Sequence, residues 1–399
     1  FHYWIDITEN LMKRFQNHEE VPIKDTPHLK GVKKIKESNL LDFHLLDFNR
    51  YLLAMALISL NKIKLIIPIY EGKLVIPYFG INIKINNSLI LSEVISTYDN
   101  PHVLDIKNYK KINIADNISS FQNGDSLNFE NKFISQSQCV LFSKGRLLIN
   151  KYDPYYKYEM ILPYLFPDGL KASIPNNNDL IKWGKLVNRS KSILTTFWPE
   201  IEAIIGFYIN EIVPIKSPNP EINISCTSKL FHGAIFCSDS EPIELAEVII
   251  HEFSHNLLND VLESYVLIDK ENASKEIYYS PWRADPRHLY GILHAIYVFE
   301  KVAYFYLQIL NKDNKVSNYK YRFSLIVSRL KIAYAIILDS GKFTTSGKVF
   351  LNGLNSRIKS YIENDQYDYG LSKKEISDHY LKWTIENKNY SKPNINYNE

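Results

Sequence analysis

Apolar residues along this chain follow two different periods, and the change from one to the other divides it. Segments 5–15 and 40–60 carry apolar positions at helical spacing, joined by a polar stretch from Pro22 to Glu37. Between residues 61 and 115 the period shortens. Ile63 to Tyr70, Lys73 to Phe79 and Ile81 to Ile90 alternate or run apolar between Gly and Asn breaks, which predicts strands. Residues 116–137 are polar, contain Asn123-Gly124-Asp125, and read as an exposed loop or insertion. Cys139 to Leu148 reads as a returning strand, and Tyr152 to Pro175 as an irregular stretch broken by Pro154, Pro163 and Pro167. Helical spacing resumes from Asn178 to Ile212. One or two strands are expected within Ile222 to Phe236, then helices at Ser240–Leu262, Pro286–Leu310, Tyr319–Leu338 and Ser346–Glu363.

The pattern predicts an α+β fold: a strand-containing N-terminal part and a mainly helical C-terminal part. The expected boundaries are 1–175, carrying the possible insertion at 116–137, then 176–387, then an Asn-rich tail at 388–399 whose composition predicts disorder.

Composition narrows the picture. A protein of 399 residues that is 45% hydrophobic is large enough for a sizeable core or two domains. A net charge of +3 is too balanced to call for a nucleic-acid partner. The three cysteines, Cys139, Cys226 and Cys237, form no CxxC pair and suit a reducing cytoplasm. The apolar runs, such as Tyr51 to Leu60, are too short to span a bilayer, so no membrane association is expected. Phe1 rather than Met stands first, and a leading segment is expected before it.

The candidate chemistry lies in His251-Glu252-Phe253-Ser254-His255. A random sequence of this composition would contain roughly 0.02 such matches, so the motif carries meaning. Residues four apart on a helix stand one above the other, and two imidazoles so placed can share a metal ion. Val248, His251, His255, Leu258 and Leu262 fall on one stripe, which predicts buried histidines in need of partners. Pro242 suits the first turn of this helix, with Ser240 or Glu241 as its cap. A strand followed by a metal-bearing helix is the order of zincin-like sites, in which Ser225 to Phe236 would be the strand beside the helix and would pair with an extended peptide.

A third ligand is needed for a catalytic metal. Candidates are Glu263, Asp285, His288 and His294. Glu263 is eight residues beyond His255 on the same helix, about 12 Å along the axis and out of reach. On chemistry alone His294 ranks first, presented by a second helix, and His288 second. Three histidines with open positions suit iron(II) as well as zinc.

Further blocks follow the motif. They are Leu245-Ala246-Glu247 before His251, then Tyr279-Ser280-Pro281-Trp282-Arg283-Ala284-Asp285-Pro286-Arg287, then Gly291-Ile292-Leu293-His294-Ala295, and a later block from Leu338 to Leu351 with Thr345 and Gly347. Together they resemble the HExxH-motif peptide-modification family found with ribosomally made, post-translationally modified peptides. The resemblance covers about residues 222–355 and departs at His288, where proline is expected, and at Ala295, where glycine is expected. It implies an iron(II)- and 2-oxoglutarate-dependent β-hydroxylase, with O2 as co-substrate, that oxidises a C–H bond in a side group of a precursor peptide. By the same resemblance His251, His255 and His294 hold iron. Arg283, or else Arg287, grips the distal carboxylate of 2-oxoglutarate through its bidentate fork. Glu252 acts from outside the metal shell by orienting a ligand, water or substrate. The competing reading is a zinc metallopeptidase in which Glu252 is the general base. It accounts for the bare motif but leaves Ser280 to Arg287 unexplained.

Overall fold

The computed structural model describes residues 52–149 in part, chiefly the strands, and residues 177–388 apart from short gaps at 218, 220–221, 228–232, 270–277 and 313–316. The helical expectations for 5–15 and most of 40–60, the irregular stretch 152–175 and the tail beyond 388 lie outside the described residues. The architecture is mixed α+β, with strands in the N-terminal part and seven described helices, mostly in the C-terminal part. Two compact units emerge. One contains the described residues up to 188 with 209–226 and 234–240; the other contains 189–208, 227–233 and those from 241 onward.

In the first unit, nine strands are described before residue 177: β1 (Ile63–Pro68), β2 (Lys73–Ile76), β3 (Ile81–Lys84), β4 (Leu91–Ser96), β5 (Val103–Ile106), β6 (Lys110–Asn113), β7 (Ile134–Gln136), β8 (Gln138–Phe142) and β9 (Gly145–Ile149). The order β1-β4-β5-β6 makes one antiparallel sheet, and β2-β3-β7 another. Their alternate residues carry the core. Leu65 and Ile67, Leu74 and Ile76, Ile81 and Ile83, Leu104 and Ile106 are at most 1% exposed, as a two-residue period requires. Two expectations change here. The end of the polar stretch is not loop, because β7 pairs with β3, Ile81 opposite Gln136. The expected single strand from Cys139 is a hairpin whose two-residue turn, Ser143-Lys144, is followed by Gly145 at φ 109°, a conformation that L residues rarely adopt.

Helix α1 (Asn177–Phe197) and helix α2 (Pro199–Tyr208) divide the predicted helix at Trp198, where Pro199 supplies no N–H to continue it. Ile212 belongs to β10 (Glu211–Pro214), not to a helix. Segment 222–236 contributes two short strands, β11 (Ser225–Cys226) and β12 (Ala234–Cys237), paired antiparallel. The third sheet has the order β11-β12-β10-β9-β8, with β10 parallel to both neighbours. Buried on both faces, β10 and β12 are apolar without alternation apart from Glu211.

The second unit is helical. It holds α3 (Pro242–Ser264), α4 (Leu289–Lys312), α5 (Ser317–Ser340), α6 (Thr345–Ile362) and α7 (Tyr369–Glu386). Pro242 stands at the start of α3, and the cap residue Glu241 makes no hydrogen bond to the first turn through its carboxylate. Helix α4 is buried on most sides, from Ile292 and Leu293 to Ile309 and Leu310, and is the centre of this unit. Burial of each such residue contributes about 1.5–3 kcal/mol. Gly347 in α6 is dictated by contact: a Cβ there would meet the Leu267 carbonyl oxygen at 1.9 Å. Thr344 caps that helix, accepting from the Gly347 N–H at 3.0 Å and donating to the Val266 carbonyl at 2.6 Å. Helix α7 is not foreshadowed by any apolar period. Its large buried residues are only Ile376 and Trp383, too sparse a stripe to announce a helix. No helix of the described residues is long and apolar enough to cross a membrane.

Candidate functional site

Helix α3 places His251 and His255 on one face, as their spacing requires, and α4 brings His294 to them. His251 Nε2 and His255 Nε2 are 3.2 Å apart, and His255 Nδ1 and His294 Nδ1 are 3.0 Å apart. His255 and His294 stack at 5.2 Å between ring centroids, and the edge of the Phe299 ring meets His251 at 5.0 Å. Trp282 lies flat on Phe299, 4.7 Å away at 4°. A wall of aromatic carbon thus screens the first histidine.

The histidine stripe is less buried than its apolar neighbours predict. His251 and His255 have intermediate exposure, whereas the inward face of α3 carries Ile249, Ile250, Phe253 and Asn256. Even so, burial holds His251 down to about 4; Glu247 opposes this and Arg322 adds to it. Burial also lowers His255 well below the usual imidazole range, helped by His251 and His294. Neutral imidazole is the form that ligates metals.

The His251 and His255 nitrogens suit a metal in type, protonation and proximity. Two nitrogens on one ion at ordinary bond lengths lie about 2.9–3.4 Å apart, as the His251–His255 pair does. The third differs, because His294 faces the other ring nitrogen of His255. Among the described residues no group of three or more His, Cys, Asp or Glu is arranged to enclose an ion. As placed, the three rings form a hydrogen-bonded row. A neutral His255 has one N–H and one lone pair, so it donates to one neighbour and accepts from the other.

Glu252 is 2% exposed and belongs to the inward face of α3. Glu247, one turn before His251, accepts from Tyr306 Oη of α4 at 2.7 Å and from Arg322 of α5, Nε at 3.3 Å and Nη2 more closely. This partly buried carboxylate ties three helices together beside the histidines. Asn256, 1% exposed, follows His255. Its Nδ2 donates to Thr227 Oγ1 at 2.6 Å and its Oδ1 accepts from the Gly233 N–H at 3.2 Å. Sequence reasoning assigned no site role to Arg322, Tyr306 or Asn256.

The block around Arg283 is a closed loop. Tyr278 and Arg287 exchange two backbone hydrogen bonds, 2.7 and 2.8 Å, and so clamp residues 279–286. Arg283 Nε reaches Asp285 at 3.1 Å and Arg287 Nε reaches the same carboxylate at 2.9 Å. All three groups are substantially exposed, 50%, 53% and 37% for Arg283, Asp285 and Arg287. His288 and Glu263 are exposed as well, and His294 is the histidine that meets His255. No family model matches this protein, and no curated protein matches it significantly.

Proposed function

We propose that this protein is an iron(II)- and 2-oxoglutarate-dependent hydroxylase that acts on a C–H bond at the β-position of a residue in a ribosomally made precursor peptide. The observation that carries the metal part is the convergence of three imidazoles from two helices, two of them held neutral by burial. The reaction class rests on the resemblance of the Ser280 to Arg287 and Gly291 to Ala295 blocks. His251, His255 and His294 would hold the iron. With 2-oxoglutarate and O2, the bound metal supplies oxidation of an unactivated C–H and decarboxylation of the co-substrate to succinate.

The protein's own residues bind, orient and screen. Phe299 and Trp282 keep water from one side of His251. Arg283 is the arginine assigned to the distal carboxylate. Its pairing with Asp285 is half exposed and worth about 0–1 kcal/mol, so a ligand carboxylate exchanges with it readily. Arg287 is the alternative grip. Glu252, enclosed on the inner side of α3, supports the geometry of its neighbours. That placement favours the hydroxylase over a zinc peptidase, where Glu252 would serve a metal-bound water.

The test is anaerobic loading with iron(II), then admission of oxygen with 2-oxoglutarate and a candidate peptide. Succinate formation and a peptide heavier by about 16 Da are expected. Peptide fragments formed with zinc under nitrogen would instead establish the peptidase.

A further inference from the structure

A second site lies between α5 and α7, apart from the histidines. It is an open groove of about 460 Å3, lined from α5 by Tyr321 and Arg329 and from α7 by residues between Leu371 and Lys382. We propose that it binds a phosphate monoester carried on an organic group.

The cationic groups point to the anion. Arg329 is 14% exposed and gives one Nη2 N–H to Glu375 at 2.8 Å. Its buried Nε has no acceptor among the described residues. Lys374 and Lys382 stand two turns apart on α7, and Lys382 makes an exposed contact with Glu386 at 3.9 Å. Glu375 is already held by Arg329 and by the Tyr321 hydroxyl, and Asp378 lies between the lysines, four residues from each. Among the lining residues three cations stand against two carboxylates, one net positive charge, with Glu386 beside Lys382 outside the lining.

A neutral donor completes the set. Tyr279 is 1% exposed and its hydroxyl lies 2.9 Å from His379 Nδ1. Burial raises the Tyr279 hydroxyl, which keeps its proton, and lowers His379, assisted by Arg329. The satisfied arrangement has Tyr279 donating to Nδ1, which leaves the His379 proton on Nε2 as a donor. Guanidinium, imidazole and ammonium donors therefore come from two helices. One carboxylate would be saturated by the arginine fork alone, whereas a phosphoryl group offers three acceptor oxygens. The volume exceeds that of a bare ion. Leu371 and Tyr321, 42% and 37% exposed, give an attached organic group an apolar wall.

The full-length protein titrated calorimetrically with phenyl phosphate tests this, with inorganic phosphate and benzoate as comparison arms. Phenyl phosphate is expected to bind with one-to-one stoichiometry, about tenfold tighter than either comparison ligand. The exposed double variant Lys374→Ala/Lys382→Ala should weaken it about tenfold or more, and Arg329→Lys should weaken it while keeping the charge. Benzoate binding as tightly as phenyl phosphate overturns the phosphoryl assignment. No saturable binding up to about 10 mM, or binding unchanged in both variants, overturns the site.

Discussion

The histidines and the arginines singled out by the sequence stand in opposite environments. His251, His255 and His294 project from long helices and meet at about 3 Å, and burial holds His251 and His255 neutral. Arg283 and Arg287 sit on a clamped loop, face solvent and share Asp285. Helices fix their residues by repeat and packing, so groups that must act together at short range belong there. A loop holds its arginines near the surface, where a charged ligand can displace a weak internal partner.

The largest effect that separates the two regions is on metal. His294→Ala should lower iron(II) affinity by at least about 100-fold, read as metal content and by titration, with the fold retained. Undiminished affinity would move the third ligand to His288 or Asp285. Next comes the support beneath the histidines. Glu247→Ala leaves Arg322, a third exposed, without its carboxylate, and should cost about 2–3 kcal/mol in denaturant unfolding. A loss below about 0.5 kcal/mol would show that the three-helix tie is not structural. The loop should behave in reverse. Arg283→Ala should leave stability within about 0.5 kcal/mol yet raise the 2-oxoglutarate requirement at least tenfold, about 1.5–3 kcal/mol. The same result from Arg287→Ala alone would transfer the role.

The smallest contrast, per unit of pH, is in proton linkage. His251 titrates near 4 in the folded protein and near 6.5 unfolded, so between these values the unfolded state binds the extra proton. Stability of the metal-free protein is therefore full above about 6.5 and declines toward 4, by up to about 1.4 kcal/mol per pH unit for each such proton. His251→Phe should flatten that slope. Asp285→Asn, in the exposed loop, should leave it unchanged.

The sequence determined by itself the α+β character, the first three strands β1 to β3 and the histidine pair, because these depend on local periods: two residues along a strand, four along a helix. It did not reveal α7, whose buried residues are few, nor the hairpin at Cys139, whose turn rests on the positive φ of Gly145. The tertiary structure alone decided that His294 meets His255, that Glu247 finds Arg322 and Tyr306, and that Arg283 and Arg287 turn to Asp285. Each of these joins positions brought together by helix packing or by closure of a loop; the sequence ranked His294 as a candidate, but the pairing of Glu247 with Arg322, 75 residues on, leaves no local mark in it.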